Sequence, residues 1–582
     1  MRTDEPSPTT SDPSTDHKEK DDINDRKESR TSLDRRAFLG KGAAALAGLG
    51  LGGTGLSLLG CERGPAESSG GLATGRTARR ARTEADGGPV HEMTLTAEPI
   101  EVEVGPGRVW RTWAYNGQFP GPEIRVKEGE RLRVAVKNRL PDAGTTVHWH
   151  GVPVPNGMDG VPDVTQAPIP PGETMTYEYE AAPAGTYMYH SHQALQLDRG
   201  LVGPLIIEER TPHVEYDREH TVILDDFLPG PPRTLDALAG GGGGQDDGGG
   251  MMSGMMNRQS SDAPDQQQGD GMMEGEGCPM MGGDSSSGGM QGGGMMGGMG
   301  GIVPPYEGLM INGKLPGDPP AFDVKEGERV RFRLVNLSSA TTYHLALAGH
   351  RMRVSHADAR PVEPVEVDSL LIGMGERYDV IVEANEPGAH TLLARTVEGT
   401  APPARATVRY QGSRQNQPPE GEVPEGLESG RRLRYADLQS VETPLGQTTG
   451  SAGPDRTFDL RLSGGMMMSR GEWAIDRQRY PDADALPLKK GEHVRVNMSN
   501  MSMMLHPMHL HGHFFRVGNA LKDTVLVEPR PMCGSTSTVS LRALPTRKKC
   551  PCRCIGWSIM LMFDMLTRTC SPFSSGSASA SG

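Results

Sequence analysis

The stretch "GPEIRVKEGERLRVAVKNRLP", residues 121–141, decides the fold, because the chain spells it three times. It returns as "PPAFDVKEGERVRFRLVNLSS" at 319–339 and as "ADALPLKKGEHVRVNMSNMSM" at 483–503. Each copy alternates apolar and polar residues, turns at Gly129, Gly327 or Gly491, and alternates again. The second strand is expected to end at Asn138, Asn336 or Asn497. Alternation of period two buries one face of a strand, and the Lys/Glu-Gly-Glu corners are hairpin turns. "TMTYEYE" and "RYDVIVEA" add further alternating runs, and no long amphipathic helix stands out. An all-β chain of three homologous β-sandwich domains follows, at 91–212, 213–412 and 457–529, with linkers at 61–90 and 413–456.

Composition agrees with this. The 582 residues are rich in Gly and Pro and only 35% hydrophobic, as expected of loop-rich β structure with unstructured segments. A net charge of -14 argues against a nucleic-acid partner. Seven cysteines are placed without the spacing of a disulfide framework: Cys61 and Cys278 stand alone and five crowd the last fifty residues.

The N-terminus reads as an address. "SLDRRAFLGKGAAALAGLGLGGTGLSLLGC" carries Arg35-Arg36 ahead of a weakly apolar Gly/Ala/Leu run. It resembles a twin-arginine export signal over residues 1–60. Its end, Leu58-Leu59-Gly60-Cys61, resembles a lipoprotein cleavage box, so acylation at Cys61 would tether the protein to the membrane. The alternative is an ordinary soluble exported protein. Periplasm or cell envelope is the expected location, and a monomer the expected state.

A low-complexity insert at 235–301 interrupts the second domain and holds twelve of the 32 methionines, as in "GGGMMSGMMNRQ". So Gly-rich and polar a segment cannot fold alone. Thioethers are soft ligands that suit Cu(I). Met251, Met252, Met255, Met256, Met272, Met273, Met280, Met281, Met295, Met296 and Met299 are candidates for its capture, against an inert or adhesive loop.

"TTVHWHG" presents His148 and His150, "TYMYHSHQ" presents His190 and His192, and "HPMHLHGH" presents His506, His509, His511 and His513. Strand residues two apart face one side, so each H-x-H pair aims two imidazoles at one space. One pair is a weak signal; three, confined to the first and third domains, are strong. Imidazole without carboxylate suits copper or zinc. Pro507 is expected to break strand pairing and let His506 serve a separate site. His344, His350 and His356 lack such pairing and read as structural.

From about 91 to 529 the chain resembles the multicopper oxidases, in particular bacterial laccases and periplasmic cuprous oxidases. Three of that family's four copper motifs are present in order. The resemblance implies three cupredoxin-like Greek-key β-sandwiches, the third incomplete here. It implies four coppers per complete site, electrons entering at a type 1 copper, and reduction of O2 to water at a trinuclear cluster between domains one and three. The reductant would be Cu(I) or a small phenol. By motif, His148 and His509 would bind the type 2 copper, and His150, His190, His192 and His511 the type 3 pair. His506 would be a type 1 ligand. His513 has no metal role in the family.

The family's fourth motif, His-Cys-His followed by another histidine, is missing. His513 is the last histidine of the chain, and only one of the 74 acidic residues, Asp564, falls after Glu528. The alternation lapses there too. A reading-frame slip near Glu528–Met532 explains this most simply, leaving 530–582 an aberrant tail and type 1 copper absent or weak. The alternative is a divergent tail in which Cys550, Cys552 and Cys554 bind a soft metal. Two functions follow: an exported multicopper oxidase impaired in this chain, or a periplasmic copper-sequestering protein without turnover.

Overall fold

The protein is described by a computed structural model covering residues 89–230, 306–442, 453–464, 474–478, 486–489, 491–502, 504–529, 537–542 and 559–561. All seven cysteines and the methionine candidates of the insert lie outside these residues, as do the export signal and the proposed acylation site. Among the described residues helix occurs only as four 3-10 turns.

Each repeat of the sequence becomes the same piece of sandwich. Strand Arg131–Asn138 pairs parallel with Val90–Gly105, Arg329–Asn336 with Arg218–Phe227, and His493–Asn500 with Arg456–Ser463. The first sandwich packs the sheet ordered Arg108–Tyr115, Val90–Gly105, Arg131–Asn138, Thr174–Glu180 against the sheet ordered Ile124–Lys127, Val202–Glu208, Gly185–His190, His148–His150. The second sandwich has sheets of six and five strands. The third has a six-stranded sheet built on His493–Asn500 and a three-stranded sheet ordered Thr524–Val527, His506–Leu510, Ile559–Leu561.

Alternation does what it should in the outer copies: Leu132, Val134 and Val136 are buried, as are Val494, Val496 and Met498. In the middle copy both faces are covered, so Arg331 and Arg333 are buried as well. They are neutralised there by Asp379, Glu209 and Glu219, carboxylates of the second domain and of the chain entering it. A buried cation is tolerable only when so paired.

A buried asparagine closes each repeat strand. Asn138 donates to the carbonyls of Ala143 and Ile169, and Asn336 to those of Thr341 and Ile372. The third member is Asn500, not the expected Asn497: it donates to Met504 and Val527 and accepts from the Ser502 amide. Counting from the turn glycine gives the same register in all three copies, whereas Asn497 sits at the surface beside Asp459.

Two further expectations change. Strand pairing does not end at Glu528. Ser537–Arg542 lies antiparallel to His493–Asn500 inside the six-stranded sheet, and Ile559–Leu561 lies beside Met508–Leu510. Nor is 413–442 a loose linker. Its Leu427, Leu433 and Leu438 are buried, the last two in the core of the second sandwich, and it bridges to Val362, Ser369 and Asn519.

Candidate metal centre between the first and third sandwiches

The centre grows from two short strands of the first sandwich. In His148–His150, alternation turns Trp149 into the core against Tyr177, Tyr179 and Tyr189, leaving both histidines on the other face. The neighbouring strand sets His190 directly opposite His148, and His192 follows two residues on. The third sandwich supplies His509 from strand His506–Leu510 and His511 from the turn after it.

Six imidazoles thus meet. His148 lies 4.0 Å from His511, ring centre to ring centre, and His150 stacks 3.7 Å from His509. His190 is 5.4 Å from His148 and 5.7 Å from His150, and His192 is 5.2 Å from His511. The ring nitrogens of His148, His150 and His190 come within 4.8 Å of one another, and so do those of His148, His509 and His511.

Hydrogen bonds fix which nitrogen of each ring is left over. His148 Nδ1 donates to the Asp159 carbonyl at 2.8 Å, His190 Nδ1 to that of Ser191 at 2.9 Å, and His509 Nδ1 to that of Asp523 at 2.9 Å. A carbonyl can only accept, so each ring holds its proton on Nδ1 and turns a lone pair out at Nε2. His150 is the reverse. Its Nε2 lies 3.1 Å from the Thr524 hydroxyl, which itself donates to Asp523, so the lone pair falls on Nδ1. These four lone-pair nitrogens are buried and have no hydrogen-bond partner, and neither has His192 Nδ1. Leaving five such nitrogens unmet costs on the order of 1–3 kcal/mol each. Metal ions fit them: neutral imidazoles oriented by carbonyl acceptors are the usual donors for copper. Burial also lowers the pKa of His148, His150, His190, His192 and His509, favouring the neutral form that binds metal.

Asp159 and Asp523 were not anticipated from sequence. Asp159 Oδ2 accepts from His511 Nδ1 at 3.0 Å. Burial pushes the Asp159 carboxyl up, but His511 and His148 beside it hold it well below the usual range. Gly160, with φ +78°, lets this loop close on the backbone of Val147, where any Cβ would collide. Asp523 comes within 4.8 Å of His150 and His509 nitrogens. Its oxygens are already taken by Arg377 and Thr524, so it orients ligands rather than serving as one.

His506 stands apart, 2.6 Å from the Ser502 hydroxyl and buried. The expected cause was wrong. Pro507 pairs with Leu526 inside a continuous strand. His506 and His509 are three residues apart, an odd number, so they face opposite sides of the sheet. His513 Nδ1 donates to the His511 carbonyl at 3.1 Å. His350 and His356 are engaged by Tyr410 and Glu209.

Sequence profiles described as multicopper oxidase match residues 96–212, 285–413 and 456–537. The chain is 35% identical to multicopper oxidase MmcO of Mycobacterium tuberculosis, over 85% of this chain and 89% of that one. It is 28% identical to copper resistance protein A of Pseudomonas syringae pv. tomato, over 83% and 90%. Among solved structures, a multi-copper oxidase from Pseudomonas thermotolerans aligns with TM-score 0.51 and 27% identity over 78% of this chain and 93% of that one. A laccase from Botrytis aclada, 22% identical over 78% and 83%, shares the fold with TM-score 0.59.

Proposed function

Since the chain belongs to the multicopper oxidase family, we propose that it descends from an exported oxidase that takes single electrons from Cu(I) or small phenols and passes four to O2, giving water. The observation that carries this is the set of six histidines, each H-x-H pair supplied by a separate strand or turn, converging with unmet lone pairs. Copper bound there would supply the redox chemistry. The chain's own part is to hold the imidazoles in fixed tautomers, to exclude water by burial, and to keep Asp159 ionised as the hydrogen-bond acceptor that orients His511. His148 and His509 are assigned to type 2 copper, and His150, His190, His192 and His511 to the type 3 pair.

The internal repeat supports placing the defect. His148 pairs with His190 in the first sandwich, and in the third the equivalent His509 pairs with Met560. By backbone register Met560 and Leu561 therefore stand where His190 and Ser191 stand in the first sandwich, within the place where the family's His-Cys-His is expected. A frame slip near Glu528–Met532 is compatible with the pairing of Ser537–Arg542 and Ile559–Leu561, because pairing asks only for backbone groups. Loss of that motif removes the thiolate and two type 3 ligands, and favours a second reading: copper sequestration without turnover. Export through Arg35-Arg36, acylation at Cys61 and Cu(I) capture by the methionine insert complete the proposal. Copper-dependent O2 uptake by the full chain, with Cu(I) or a phenol as reductant, separates the two. Uptake establishes the oxidase; copper bound tightly with no uptake establishes sequestration.

A further inference from the structure

The second sandwich gives no histidine to the centre, yet one of its side chains reaches both sandwiches that do. Arg377 is fully buried. Its Nε donates to the Thr186 carbonyl of the first sandwich at 3.0 Å. Its two terminal nitrogens grip Asp523 of the third sandwich in a fork, Nη1 to Oδ1 and Nη2 to Oδ2, both 2.7 Å. The planar guanidinium matches a carboxylate in this two-point way; an ammonium cannot. The backbone of Arg377 is held in turn: its amide donates to Asp358 Oδ1 at 3.0 Å, and the other oxygen of Asp358 accepts from the amide of Thr524 at 3.1 Å.

The fork touches the histidines through two residues. Asp523 accepts from His509 at its carbonyl and from the Thr524 hydroxyl at its carboxylate. That same hydroxyl meets His150 at 3.1 Å and His509 at 3.2 Å. The stacked pair His150–His509 is therefore oriented by Asp523 and Thr524. A second sign is Gly151, the residue after the H-x-H pair, with φ +85°. A Cβ on it would collide with Asp523 Oδ2 and stand 2.6 Å from Arg377 Nη2. The first sandwich has left out a side chain where the fork docks.

We propose that Arg377 is a positioning residue: through Asp523 and Thr524 it sets the orientation of His150 and His509, and so lets the second sandwich determine the geometry of a centre to which it gives no ligand. This rests on the proposal that the six histidines hold copper.

The test uses the full chain loaded with Cu(II), read by the electron paramagnetic resonance spectrum of bound copper, copper retained on dialysis, and apo-protein melting. Arg377→Lys keeps the buried charge and loses the fork. It is expected to stay folded, retain copper about tenfold more weakly, as ligand-orienting partners usually do, and show altered hyperfine splitting. A merely structural arginine would lower the melting temperature and leave spectrum and copper affinity as they were, and that result overturns the proposal. Should Arg377→Lys not fold, Thr524→Val, which removes one hydroxyl at constant shape, must give the same spectral change; an unchanged spectrum overturns it equally. Wild-type chain that holds no copper at these histidines overturns the proposed metal centre and this inference with it. That failure is recognisable because it appears before any substitution is made.

Discussion

The first and third sandwiches offer each other the same pair of strands, and only one pair is fully furnished. In the first, His148–His150 lies beside Gly185–His190, and both strands carry histidine. In the third, His506–Leu510 lies beside Ile559–Leu561, and the second strand carries none. The two backbone frames match while the side chains they carry differ. Strand pairing asks only for alternating backbone groups, whereas a metal site asks for particular atoms at particular heights.

The comparison can be pressed on its intact side first. Asp159→Ala would take the acceptor from His511 and loosen the loop that orients His148. Copper affinity should fall by about 10–100-fold, measured by competition with a chelator; a change within twofold would show that the carboxylate does not orient the ring. The depleted side is tested by furnishing it. Met560→His should raise the copper retained per chain, a smaller effect because strand Ile559–Leu561 is short. Unchanged stoichiometry would contradict the register drawn from His190.

A third test concerns the frame common to both sandwiches. Asn500→Ala leaves two carbonyls and an amide without a buried partner and should cost about 2–4 kcal/mol by denaturant unfolding. Asn497→Ala, at the surface, should stay within about 0.5 kcal/mol. Equal costs would put the asparagine back where the sequence alone suggested.

The smallest expected effect contrasts two interior acid groups. Where the second sandwich meets the third, Asp358, Glu376 and Asp523 are matched by Lys522 and Arg377. Asp198, Asp225 and Asp226 instead face one another, with Tyr306, Thr341 and the Ala340 amide as donors. Burial, then the Asp198 carboxyl, push Asp226 up to about 7, and burial pushes Asp198 up to about 6, from an ordinary 3.8. The folded state then keeps protons that the unfolded chain releases. Stability is full below about pH 4 and is lost as pH rises through about 7. The melting temperature should fall across that window, and Asp226→Asn should flatten the fall; an identical slope in the variant would exclude the cluster as its source.

Much of this was legible in the sequence. The threefold repeat gave the sandwiches, because alternation and turn glycines are local signals. The H-x-H pairs pointed to the six histidines that meet, because parity along a strand fixes facing. Parity also separates His506 from His509, although Pro507 suggested another cause. What stayed hidden were residues whose role depends on a distant partner. Asp159 is a lone acid in a loop, and Asp523 becomes meaningful only beside Arg377, 146 positions away. Asn497 misled because it too is an asparagine in the same strand. The strands at 537–542 and 559–561 were missed because pairing asks only for backbone groups, whereas the sequence reading looked for alternating side chains.

The most direct test of the proposed centre is the electron paramagnetic resonance spectrum of the 582-residue chain loaded with Cu(II), set beside that of His148→Ala/His509→Ala. The wild-type spectrum should show the wide parallel hyperfine splitting of nitrogen-ligated copper, without the narrow splitting of a copper–thiolate site, and the double variant should lose it. A narrow-splitting signal in the wild-type chain, or a spectrum indifferent to both substitutions, would contradict a centre made of these histidines and lacking its thiolate.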